Sequence, residues 1–201
     1  NREEEEIKRS MLFDAIRSNS LEIVKLLLNH PKIDVNKNEL IKKGSDFTYL
    51  SPLYIAILNG QNEIAKLLIN HKKIDINKVS IIMKEKKSEK ITALCAAIQN
   101  QNTEIIQMLV SNPKIKVNIK SKWNEMIQNK IGLVCQRIKN KKSPLLMAVE
   151  TGNADIVNIL LNCRKIDVND KNVSYIRKNN WKKLFLFIMF LLSMAILSVF
   201  S

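Results

Sequence analysis

Four stretches of this chain can be laid over one another without a gap, and a fixed internal period restricts the possible folds more than any local propensity does. Residues 21–36 read LEIVKLLLNHPKIDVN, 62–77 read NEIAKLLINHKKIDIN, 103–118 read TEIIQMLVSNPKIKVN and 154–169 read ADIVNILLNCRKIDVN. At a constant offset of 11 residues upstream stand SMLFDAI from Ser10, SPLYIAI from Ser51, TALCAAI from Thr92 and SPLLMAV from Ser143. Each unit is therefore a core of 27 residues, at 10–36, 51–77, 92–118 and 143–169, with starts 41, 41 and 51 residues apart. One such unit cannot bury its apolar side alone, so the units are expected to stack in a row.

Each core reads as two helices. Ser10, Ser51, Thr92 and Ser143 are N-cap types, and Pro52 and Pro144 follow where a missing N–H costs nothing. The break after the first helix carries Asn19, Gly60, Gln101 and Gly152; three of these tolerate a left-handed backbone and Gln101 fits poorly. An acid opens the second helix each time, at Glu22, Glu63, Glu104 and Asp155, near its positive dipole end. Apolar residues at i, i+3 and i+4, such as Ile64, Leu67 and Leu68, predict one buried stripe per unit. Ala15, Ala56, Ala97 and Ala148 recur where a small side chain lets neighbouring helices approach.

These residues resemble the ankyrin repeat, whose T-P-L-H-x-A opening is similar to Ser51-Pro52-Leu53-Tyr54-Ile55-Ala56 and Ser143-Pro144-Leu145-Leu146-Met147-Ala148. The motif histidine is replaced by Phe13, Tyr54, Cys95 and Leu146, and Lys116 stands where the other units have Asp34, Asp75 and Asp167. The resemblance implies an all-α, ankyrin-type helix-turn-helix repeat solenoid over residues 1–183. The segments 37–50, 78–91 and 119–142 would project as long β-hairpin or loop inserts, and a hydrophobic helix would close the C-terminus. It also implies a non-catalytic protein-interaction module whose fingers and inner helices line the binding face.

The formal net charge of +14 gives that module a sign. The three inserts carry net charges of +1, +3 and +6, whereas the four cores together carry only +1. The basic residues Lys84, Lys86, Lys87, Lys120, Lys122, Arg137 and Lys139, with Trp123 as an aromatic anchor, are the candidate contacts for an acidic protein partner. The competing reading is that these charges only keep long fingers soluble.

Residues 184–200, LFLFIMFLLSMAILSVF, are free of charge. As a helix this segment would extend roughly 25 Å, close to the thickness of a thin bilayer core. Trp181, Lys182 and Lys183 are placed to sit at the membrane interface. The expectation is a transmembrane tail anchor with the repeats cytoplasmic. The N-terminal run of four glutamates is the opposite of a secretory leader. Burial of the segment against the last repeat, or a soluble fragment of a longer array with an artefactual tail, are the competing readings.

Catalysis has no foothold. The three cysteines, Cys95, Cys135 and Cys163, show no metal-ligand spacing, and an odd number points to a reduced compartment. His30 and His71 occupy equivalent places in successive units, near a helix C-terminus whose dipole they can complement. No phosphate-binding loop, nucleophile elbow or zinc signature occurs, so neither an enzyme nor a cofactor or metal site is expected. A non-specific polyanion binder of nucleic acid or anionic lipid is the runner-up. Nucleic acid ranks below a protein partner because Phe47, Tyr49 and Trp123 are isolated and form no stacking platform.

Overall fold

The computed structural model describes residues 5–8, 10–84, 87–128, 134–169 and 173–178. The caps open the helices largely as their chemistry demands. The hydroxyls of Ser51, Thr92 and Ser143 accept from the backbone N–H of Tyr54, Cys95 and Leu146, each at 3.3 Å. The first helices of the four units follow: α1 (Met11–Arg17), α3 (Pro52–Leu58), α5 (Ala93–Gln99) and α7 (Pro144–Thr151). Ser10 departs from the pattern, its Oγ being buried and making no cap bond.

All four break residues take positive φ: 51° at Asn19, 69° at Gly60, 52° at Gln101 and 71° at Gly152. In the first three units the next N–H bonds back to the carbonyl of the recurring alanine, Ser20 to Ala15 at 3.0 Å, Gln61 to Ala56 at 2.9 Å and Asn102 to Ala97 at 3.0 Å. That is the wrapped end of a Schellman turn, and it forces Gln101 into a conformation that an L side chain resists. The turn reverses the chain into α2 (Leu21–Leu28), α4 (Asn62–Asn70), α6 (Thr103–Ser111) and α8 (Ala154–Leu161).

First helices pack on first helices and second on second along the row. The core runs through all four units: Phe13, Leu53, Leu94 and Ala148 lie in it beside Val24, Ile64, Ile105 and Ile156. The buried stripe of the second helix differs from the sequence expectation. It follows Ile64, Ala65 and Leu68, while Leu67 and its equivalent Met108 are only partly covered. Truncating a fully buried Ile105 to alanine would cost about 2–5 kcal/mol through lost contacts and a cavity.

The inserts form hairpins: β2 (Glu39–Lys43) with β3 (Asp46–Leu50), β4 (Val79–Lys84) with β5 (Lys87–Thr92), and β6 (Ser121–Gln128) with β7 (Val134–Lys142). They do not project singly. β1 (Glu5–Lys8) and β8 (Val173–Lys178) flank them, and adjacent hairpins also pair, giving one antiparallel sheet in the order β1-β2-β3-β4-β5-β6-β7-β8. An all-α description is therefore incorrect: half of the described elements are strands, because hairpins spaced by stacked helix pairs fall within hydrogen-bonding reach of each other. The hydrophobic C-terminal helix expected at 184–200 lies outside the described residues. No helix among the described residues is long and apolar enough to cross a membrane.

The units are tied to each other by a repeated side-chain bracket. Asn36 donates through Nδ2 to the Lys73 carbonyl at 2.7 Å and accepts at Oδ1 from the Asp75 N–H at 2.7 Å. Asn77 does the same to Lys114 and Lys116, and Asn118 to Lys165 and Asp167. A carboxamide presents a donor and an acceptor side by side, which matches one exposed backbone segment of the next unit.

Candidate functional site

Strand register decides which of the basic residues can act together, because alternate residues face opposite sides of a sheet. One cross-strand row runs Ile82, Glu89, Trp123, Asn140. Lys84 pairs with Lys87 two residues further along the same hairpin, and so shares that face. Together with Lys142 and with Gln99 at the end of α5, Ile82, Lys84, Lys87, Glu89 and Trp123 line a groove of about 530 Å³. The Lys142 ammonium sits 4.9 Å from the centre of the Trp123 ring, a cation–π distance, and also pairs with Glu150 of α7. This contact links the third hairpin to the helix behind it and fixes the half-buried indole as a wall of the groove.

Glu89 is the odd member. Half-buried beside Trp123, its carboxyl is held above the ordinary value of 4.5 by desolvation. A carboxylate so placed opposes an incoming anion and is itself poorly solvated, so it takes up a proton more readily than a surface glutamate.

A second row lies on the other face: Lys90 opposite Lys122, and Lys122 opposite Lys141. Neighbouring strands are about 4.8 Å apart, so three like charges stand directly side by side, an arrangement that costs stability. The candidates thus divide. Lys84, Lys87 and Trp123 come together at the groove; Lys122 points away from it with Lys90 and Lys141; Lys120 is half-buried just before β6. Arg137 and Lys139 lie on β7, in register with Met126 and Asn124 of β6. Lys86, Trp181, Lys182 and Lys183 fall outside the described residues. Sequence reasoning counted Lys142 among the basic residues of the third insert without joining it to Lys84 and Lys87, and overlooked Glu89 and Gln99 as groove residues. The signal for Lys142 was its place at the end of the third insert, where a hairpin returns it to the start of β6.

The remaining chemistry is structural. His30 and His71 accept at Nδ1 from the N–H of Lys32 and Lys73, at 3.3 and 3.2 Å, and Asn112 accepts likewise from Lys114. The two rings thus cap the turn that follows each second helix. Cys95 is buried, its thiol pushed up chiefly by desolvation. Among the described residues no group of His, Cys, Asp and Glu could hold a metal ion.

A model of ankyrin repeats in three copies matches residues 12–121 and again 81–172. The chain belongs to the ankyrin repeat family. Ankyrin repeats generally mediate protein–protein interaction, and the family is generally a non-catalytic scaffold. Among solved structures, the crystal structure of the ankyrin repeat protein EF0377 is similar in fold, with a TM-score of 0.53 and 23% identity. The likeness covers 80% of this chain and 65% of that one, so the array spans just under two thirds of that protein's length. No curated protein matches the sequence.

Proposed function

We propose that this ankyrin array is a non-catalytic scaffold that holds an acidic segment of a protein partner in the groove between its second and third hairpins. The observation that carries this reading is the clustering of Lys84, Lys87 and Lys142 around the Trp123 indole. Aromatic anchors rimmed by cations supply contact area and a long-range field at once, raising the association rate for an acidic chain. Residues 184–200 are proposed to tether the repeats to the cytoplasmic face of a membrane, with Trp181, Lys182 and Lys183 at the interface; the support for this is the sequence pattern.

The groove reading is tested with a fluorescein-labelled peptide of glutamates flanking one phenylalanine, titrated against the whole chain in detergent micelles. Binding should weaken at least tenfold in a Lys84→Glu/Lys87→Glu variant and in Trp123→Ala, and should fall as salt rises. Charge reversal of Lys90, Lys122 and Lys141 should leave it nearly unchanged. Were that outer-face variant the one to lose binding, the polyanion reading would replace this one. Complete release of the chain by carbonate extraction of membranes would remove the tether.

A further inference from the structure

Among the described residues, the first and fourth units each present an uncovered face, and what each leaves exposed is the missing half of the other. Ile23 on α2 is 50% exposed, whereas its equivalents Ile64, Ile105 and Ile156 are at most 1% exposed. Those three occupy the positions that face the preceding unit, and Leu26 beside Ile23 is exposed as well. At the other end Val168 is 58% exposed, while Val35, Ile76 and Val117 are at most 2% exposed, and Val149 repeats the contrast.

The polar bracket is unfinished in the same sense. Asn169 is exposed and stands where Asn36, Asn77 and Asn118 grip the next unit. The backbone that would receive such a grip in the first unit, at Lys32 and Asp34, is equivalent to the gripped Lys73 and Asp75. The sheet agrees. β8 follows the fourth unit as β2 and β4 follow the first and second, while β1 precedes the first unit as β3 and β5 precede theirs. The two edge strands are thus the first and second strands of one divided hairpin. Their sequences carry opposite charge, with Glu5 and Glu6 in β1 and Arg177 and Lys178 in β8.

We propose that copies of this chain stack head to tail, the fourth unit and β8 of one copy receiving β1 and the first unit of the next. The junction continues the interface that the chain already makes three times between its own units, with the same apolar positions, the same asparagine bracket and the same strand order. Such an interface is heterologous, so it propagates unless the array closes into a ring.

Sedimentation velocity of the whole chain in non-ionic detergent, over a wide concentration range, tests this. The wild-type mass should climb beyond two copies. Leu26→Arg blocks only the leading face and Val168→Glu only the trailing face; both positions are exposed, so both variants should fold, as circular dichroism would verify. Each alone should remain a single copy, with self-affinity reduced at least tenfold, and an equimolar mixture should form a one-to-one pair and nothing larger. A wild-type mass that stays at one copy, a single variant that still assembles, or a mixture that fails to pair would each overturn the proposal.

Discussion

Glu39 is wholly buried and receives its hydrogen bonds from Arg17, which donates through Nε to Oε1 at 3.0 Å and through Nη2 to Oε2. The pair joins the end of α1 to the start of the first hairpin, and the guanidinium's own pKa is raised by the hydrogen bonds to that carboxylate. Arg17 itself is partly exposed, but removing it leaves the buried Glu39 carboxylate without its partner, which is the costly way to break such a pair. Arg17→Ala should therefore lose about 3 kcal/mol by urea denaturation at neutral pH. Replacing both partners with apolar residues of similar size, Arg17→Met with Glu39→Leu, should recover most of it. A double variant that loses as much as Arg17→Met and Glu39→Leu added together would show that the pair has no energetic coupling.

The asparagine bracket contains its own control. Asn77 bridges two units with two backbone contacts, while its equivalent Asn169 is exposed at the end of the stack. At about 0.5–1.5 kcal/mol net per hydrogen bond, losing both bonds in Asn77→Ala should cost about 1–3 kcal/mol. Asn169→Ala should leave the unfolding free energy of a dilute, single copy nearly unchanged. Hydrogen exchange should place the loosening at the junction of the second and third units, since stability in an array is close to a nearest-neighbour sum. Uniform loosening across all four units would contradict the bracket's local role.

Gln101 occupies a turn where φ is 52°, whereas Gly60 and Gly152 serve the equivalent turns of the second and fourth units. A left-handed L residue costs roughly 1–2 kcal/mol, partly offset by the greater chain entropy that glycine loses on folding. Gln101→Gly should raise stability by about 0.5–1 kcal/mol, read as a higher midpoint in thermal melts. Open space surrounds the site of a Cβ at Gly60, so Gly60→Ala reports backbone strain alone and should move the midpoint down. A lowered midpoint for Gln101→Gly would mean that the glutamine side chain supports the turn more than its backbone opposes it.

The repeat itself was legible because its signals are local. Ser51 capping Tyr54, the break at Gly60 and the acid at Glu63 act within one unit, so their spacing survives translation into a sequence pattern. The grouping of the lysines was not legible. Trp123 meets Lys142 only through the register of β6 on β7, which also contains an irregularity between Ile127 and Gln128. Lys90 meets Lys122 only because separate hairpins pair with each other, and that pairing depends on the pitch of the helix stack. The partnership of Arg17 with Glu39 spans 22 residues and requires the same stack to be in place. Charge counts located the basic inserts but carried no information about which face each residue would take.

Glu89 links stability and binding through one proton. Its pKa is raised on folding by desolvation, so the folded state holds the proton more tightly than the unfolded chain. Its protonated form therefore favours folding fully below the unfolded value near 4.5, and that contribution is lost as pH rises through the higher folded value. At neutral pH the carboxylate is a net burden on the fold, and Glu89→Gln should raise the melting temperature. The gain should shrink toward zero as the pH falls well below 4.5, where the wild-type residue is protonated in both states. The same substitution removes the one carboxylate among the described residues that line the groove, so the glutamate-rich peptide should bind several-fold more tightly at pH 7, with little change at acid pH. A stability gain that does not depend on pH would contradict desolvation of Glu89 as its source, and unchanged peptide affinity would place the acidic partner away from this groove.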